Sequence, residues 1–129
     1  MVNFGGLDTV PLEFRERRLH RHNAQVTLMR TTPEENRLCA RWIAGKLARA
    51  TSPVSMLIPA LGVSSLDASG APFHDPAADE AFVEEFRSGT AGVEQVEVTV
   101  LPHHINDPAF AAALVARFLE LWEARTPHP

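Results

Sequence analysis

Residues 54 to 76 read Val54-Ser-Met-Leu-Ile-Pro-Ala-Leu-Gly-Val-Ser-Ser-Leu-Asp-Ala-Ser-Gly-Ala-Pro-Phe-His-Asp-Pro76. The apolar run from 54 to 58, bounded by Pro53 and Pro59, has the pattern of a short strand covered on both faces. The polar stretch behind it is too long for a tight turn. A connection of that length inside a small domain is usually functional or disordered, and Leu61, Val63, Leu66 and Phe73 supply apolar anchors that a disordered linker lacks. Asp75 and Pro76 then open a helix as N-cap and first helical residue.

The same grammar recurs on either side. Residues 25 to 29 form a strand candidate, followed by Thr32-Pro33-Glu34-Glu35, a capping box that starts a helix running to about Arg49. That helix is expected to bury Leu38, Trp42, Ile43 and Leu47, with Cys39 on its apolar side as a small hydrophobe. After Pro76 the stripe Ala78, Phe82, Phe86 is inward, and the glycine-bearing stretch from Ser88 to Gly92 ends the helix. Val96, Val98 and Val100 alternate as in a strand near a sheet edge. Asp107 and Pro108 start a last helix with Phe110, Leu114, Phe118, Leu121 and Trp122 on one side, and Thr126 to Pro129 are expected to fray. Residues 1 to 24 show no periodic element and read as an irregular arm. Its Val2, Phe4, Leu7, Val10, Leu12 and Phe14 must be buried against its own sheet, another copy or another domain.

Strand, helix, strand, helix, strand, helix is the order of an α/β fold with right-handed crossovers. The expected architecture is a small three-layer Rossmann-like domain over residues 25 to 125 with a mainly parallel sheet. Three strands are few for a sheet that needs both faces covered. The chain is therefore read as a fragment of a larger protein, or as one whose sheet edge is completed by the arm or a partner.

At 129 residues and 14.2 kDa the chain has room for one core. Its net charge of -4 gives no footprint for nucleic acid. Arg15, Arg17, Arg18 and Arg21 cluster beside His20 and His22, but Glu13 and Glu16 interleave, so the cluster reads as a solvated surface or a partner contact. A single cysteine excludes a disulfide framework within the chain and suits a reducing, cytoplasmic setting. Neither a signal peptide nor a membrane-spanning run is present, so no membrane role is expected.

Ligands of open α/β sheets bind outside the carboxyl ends of the strands. The three strand-to-helix junctions carry Arg30, Thr31 and Thr32; Ser64, Ser65, Asp67, His74 and Asp75; and His103, His104, Asn106 and Asp107. Helix N-termini beside an arginine fit an anionic small molecule such as a phosphate or carboxylate. Thr32, Asp75 and Asp107 are accounted for as caps. Arg30, Thr31, Ser64, Ser65, His103 and Asn106 are the candidate ligand-binding residues, and Asp67 and His104 the candidate acid and base. No metal site is expected, because the histidine spacing matches no helical ligand pair and there is no cysteine framework. Gly62-Val63-Ser64-Ser65 lacks the second glycine of a nucleophile elbow, and no glycine-rich phosphate loop occurs.

The strings Met1-Val-Asn-Phe-Gly5, His22-Asn23, Val26-Thr-Leu-Met-Arg-Thr-Thr-Pro-Glu-Glu-Asn36, Gly62-Val-Ser64 with Asp67, Gly70 with Pro72-Phe73, Asp75-Pro76 with Asp79, and His104-Ile-Asn-Asp-Pro108 resemble the family of Tm-one-like ATP-binding domain proteins. These are mostly uncharacterised bacterial proteins similar to the inhibitory domain of a plant tobamovirus-resistance protein. The resemblance runs from Met1 to about Trp122, with Ala24 departing from the family's usual proline. It implies the carboxyl-terminal portion of a protein built from two Rossmann-like halves, in which Met1 marks a shortened gene or a boundary within a longer chain. ATP or another nucleotide is the ligand implied for the family, with no ATP site assigned to this portion. Two functions follow as expectations. One is part of a site for an anionic or nucleotide-type ligand, completed by the missing amino-terminal domain; the other is an oligomerisation or domain-interaction module with no ligand of its own, in which a homo-oligomer is expected.

Overall fold

The strands fall into two separate sheets, and this divides the molecule. A computed structural model describes residues 1 to 125, so the tail expected to fray lies outside the described residues. Strands β1 (Val2–Phe4), β2 (Leu19–Asn23) and β3 (Val26–Met29) form an antiparallel sheet in the order β1-β3-β2. The stretch read as an irregular arm is thus ordered, with two 3-10 turns, Leu7–Thr9 and Leu12–Phe14, between its strands. β2 and β3 are joined by a two-residue loop, Ala24 and Gln25, where the Gln25 N–H donates to Asn23 Oδ1 (2.8 Å). So short a connection makes an antiparallel hairpin, not a crossover. The expected three-stranded, mainly parallel sheet is corrected accordingly: β3 belongs to the hairpin, and only β4 (Val54–Pro59) and β5 (Val96–Leu101) pair in parallel. The fold is a small α/β domain with three helices and one sheet of each kind.

Helices α1 (Pro33–Leu47) and α2 (Pro76–Gly89) pack on one face of the parallel pair. Thr32 caps α1 with the full reciprocal box, its hydroxyl accepting from Glu35 N and the Glu35 carboxylate accepting from Thr32 N. Ala40, Ala44, Ile58 and Phe86 form the buried centre, with Ile43, Leu47, Met56, Phe82, Val83, Val98 and Val100 against it. α1 turns inward only part of the stripe its large residues suggested, Ile43 and Leu47. Leu38 and Trp42 are exposed, as is Cys39, and the buried line runs through Ala40 and Ala44. Small residues let the two axes approach closely: a Cβ on Gly89 would come within 2.9 Å of Ala44 Cβ. The Asn36 amide also donates to Ala78 O (2.6 Å) across the contact.

Strand side chains alternate between faces, so Ser55 and Glu97 lie opposite Met56 and Val98. There α3 (Pro108–Arg125) reaches them through Arg117, which donates to Ser55 Oγ (3.2 Å) and pairs with Glu97. Of the apolar stripe expected to be buried on α3, only Phe110 is; Leu114, Phe118 and Trp122 stay exposed. β4 is half-buried over most of its length and not covered on both faces as expected. The arginine cluster read as a surface works partly as internal ties. Arg17 pairs with Glu35 (2.7 Å), and Arg15 and Arg18 donate to the carbonyls of Val10 and His74.

The packing of α1 against α2 can be checked by equilibrium urea unfolding. Phe86→Ala should cost about 3 to 5 kcal/mol, whereas Leu38→Ala and Trp42→Ala should each stay within about 0.5 kcal/mol of the parent.

Candidate functional site

Gly62, three residues beyond Pro59 at the carboxyl end of β4, holds two loops together. Its φ is +124°, and a Cβ there would lie 2.5 Å from Asp67 Oδ1 and 2.8 Å from His104 Cδ2. The Asp67 carboxylate, 1% exposed, folds back to accept from the Val63 N–H (2.9 Å) and the Ser64 N–H (3.1 Å). His104 crosses from the β5–α3 loop. Its Nδ1 accepts from the Asn106 N–H (3.1 Å), which leaves Nε2 as the protonated nitrogen donating to Ser64 O (3.0 Å). Ile105 N donates to Gly62 O (2.9 Å), so backbone and ring together bind the β4–α2 and β5–α3 loops into one wall. The Asp107 side chain serves this wall as well, accepting from His104 N (2.7 Å) upstream, while Asp107 O accepts the first helical N–H groups of α3. At α2, Asp75 is the cap expected, accepting from Ala78 N (3.1 Å).

Arg30 sits at the end of β3 and is 5% exposed. Its Nη2 donates to Asp79 Oδ1 (2.6 Å) and to Asp75 O (3.3 Å), which binds the antiparallel sheet to the start of α2. Its Nε is buried and has no hydrogen-bond partner among the described residues. Burial pushes the Asp79 carboxyl above its ordinary value, and the bond and charge of Arg30 pull the other way without cancelling it.

A cavity of about 760 Å³ opens beside this pair. Arg30, Thr31, Asn36 and Asp79 stand at its polar side, residues 56 to 60 form its floor, and Phe82, Val83, Phe110 and Leu114 give it apolar walls. Val63 and Ile105 reach it from the two latched loops. Of the residues singled out in the sequence, Arg30 and Thr31 therefore share one space, and Ser64, Asp67 and His104 form the adjoining latch. Ser65 and Asn106 are exposed, and His103 is half-buried with its carbonyl accepting from Leu61 N (3.0 Å). Asp79 and Asn36 were missed. The signal available was weak: an acidic residue in the first turn of α2, at the same end of the molecule as Arg30, and an amide immediately after the α1 capping glutamate Glu35. Among the described residues no group of three or more His, Cys, Asp or Glu is placed to hold a metal ion.

Residues 1–122 match the family model described as "Uncharacterised protein family (UPF0261) C-terminal domain". The chain belongs to the UPF0261 family. It is 50% identical over 121 residues to the ToMV resistance protein Tm-1(GCR237) of Solanum lycopersicum, covering 94% of this chain and 16% of that protein. A UPF0261 protein of Rhizobium meliloti is 47% identical over 121 residues, with 94% of this chain and 30% of the relative covered. A UPF0261 protein of Clostridium tetani is 41% identical over 123 residues, again covering 30% of the relative. The chain thus spans less than a third of the length of these relatives. No helix among the described residues of this UPF0261 domain is long and apolar enough to cross a membrane.

The latch makes a direct demand on Gly62. Gly62→Ala should lower stability by about 1 to 3 kcal/mol, the scale of backbone strain at a position that favours glycine, read by chemical denaturation. In the same variant the Val63 and Ser64 amides should lose hydrogen-exchange protection, because the new methyl displaces the Asp67 carboxylate that accepts from them.

Proposed function

We propose that this UPF0261 domain contributes one wall of a site for an anionic small molecule, nucleotide phosphates included, at the carboxyl end of its parallel strands. The observation that supports this reading is Arg30: a buried guanidinium with an unpartnered Nε on the border of a cavity, its charge partly offset by a carboxyl that burial has made easier to protonate. A guanidinium presents several donors in a rigid fork matched to carboxylate and phosphate oxygens. Thr31 and Asn36 offer neutral polar groups beside it. Asp67, Ser64 and His104 hold the neighbouring loops, and in this reading their role as acid, base or ligand contact is exercised only when the rest of the family's polypeptide closes the cavity. A cytoplasmic setting, where nucleotides and phosphorylated metabolites abound, belongs to the same reading.

A second reading has its own support. Leu114, Val115, Phe118, Leu119 and Trp122 of α3 are all between 44% and 61% exposed, an apolar surface of the kind that marks interaction sites. An interaction module, homo-oligomeric or between domains, accounts for that surface without a ligand.

Sulfate separates the two, since it stays fully charged over the working pH range. On titration into the chain, the Arg30 Nε–H resonance should move, Arg30→Lys should weaken the binding several-fold, and Asp79→Asn should tighten it several-fold by removing the competing carboxylate. No response at Arg30 in the parent or in Asp79→Asn would leave the interaction module standing. The pH dependence has a defined sign. The Asp79 carboxyl is raised on folding, so the folded state binds its proton more readily. Stability from this group therefore falls as pH rises from the ordinary aspartate value through the raised one. Sulfate affinity should rise as pH falls through that raised value, because protonation frees Arg30.

A further inference from the structure

The floor of the cavity has an unusual composition for a ligand pocket. Residues 56 to 60 line it consecutively. A sheet face presents every second residue, so an unbroken row can be presented only by the edge of a strand. The hydrogen bonds agree. Val54 N donates to Gln95 O (2.7 Å) and Ala60 N to Leu101 O (2.9 Å), with Val54 opposite Val96 and Pro59 opposite Leu101 in register. The even-numbered amides of β4 therefore face β5. The N–H groups of Ser55 and Leu57 point to the other side, that of Leu57 at the cavity, where no strand stands among the described residues.

We infer that the edge of β4 is the docking slot for a further parallel strand, supplied by the part of the UPF0261 polypeptide that lies outside this chain. Three observations select that occupant. All-parallel sheets occur almost only where both faces are covered, and here α1 and α2 pack on one face while α3 reaches the other through Arg117. The slot has apolar side walls from both layers, Phe82 and Val83 of α2 and Phe110 and Leu114 of α3, at the positions where the side chains of an added strand would point alternately up and down. The chain also covers only 30% of the Rhizobium meliloti relative, so the family's polypeptide has ample length from which to supply it. The added segment is extended and apolar, held by main-chain hydrogen bonds in the manner of strand addition. Pro59 lacks an N–H and limits the paired length to the donors at Ser55 and Leu57. The strand fills the lower part of the cavity and leaves Arg30, Thr31, Val63 and Ile105 at its carboxyl end. This inference is independent of the anion reading, since it concerns backbone amides that sulfate does not touch.

Amide hydrogen exchange on the dilute 129-residue chain and on the intact Rhizobium meliloti relative tests it. In the chain, the Ser55 and Leu57 amides should exchange freely while Met56 and Ile58 are protected by β5. In the intact relative, the amides aligned with Ser55 and Leu57 should exchange at least about 100-fold more slowly, as expected of ladder hydrogen bonds that open only on wider unfolding. Free exchange at those two positions in the intact relative would overturn the inference. Protection already present in the chain and increasing with its concentration would overturn it too, by assigning the slot to a second copy.

Discussion

A buried guanidinium joins the two halves of this domain. Arg30 ends the antiparallel hairpin, and its backbone is held by the arm, with Arg30 N donating to Arg18 O (3.0 Å) and Arg30 O accepting from Arg17 (3.1 Å). Its side chain is held by the start of α2 through Asp79 and Asp75 O. A charge removed from water requires a partner, and removing that partner costs far more than the pair itself contributes. This constraint sets the position of α2 relative to the small sheet, and α2 in turn carries Phe86 into the core against Ala44 and Ile58. The pairing is incomplete, with Nε unmatched, and that incompleteness is what gives the neighbouring cavity chemical interest.

The second organising constraint is the parallel pair itself. The parallel pair is packed by α1 and α2 on one face, reached by α3 on the other and open along the edge of β4, and the relatives this chain matches are much longer than it. The free amides of β4, the thinly covered face beneath α3 and the exposed Leu114 and Phe118 all lie around one side of the molecule's parallel sheet. A site at the carboxyl end of that sheet and a strand along its edge are compatible, because they use different ends of the same cavity.

Much of the local structure was legible. The capping box at Thr32, the cap at Asp75, the prolines at the first helical positions and the strands at β4 and β5 depend on neighbours within a few residues, and such signals survive folding unchanged. The antiparallel sheet was missed because β1 is only three residues long and β2 is polar, with Arg21 and His22 inside it, so neither carries an alternation long enough to mark a half-buried strand. The inward face of α1 was read only through Ile43 and Leu47, because size was taken as the sign of burial. Ala40 and Ala44 are buried since close helix packing needs small residues, and Trp42 is left outside with Lys46 over its ring at 4.9 Å. Of the candidate site, the sequence singled out Arg30 and the loops that flank the cavity but not Asp79, which meets Arg30 only through a contact 49 residues apart in the chain.

The sequence by itself determined where each helix begins, that the segments of β3, β4 and β5 are extended, that the chain is acidic with one cysteine, and which family it resembles. Each of these is a property of adjacent residues or of composition. Only the tertiary structure decided that β3 pairs with the arm and not with β4, that Asp67 and His104 latch two loops around Gly62, and that Arg30 meets Asp79 with one nitrogen to spare. The reason is physical: strand pairing, desolvation of a charge and the satisfaction of buried donors depend on what the fold brings alongside, and in this chain those partners lie tens of residues apart.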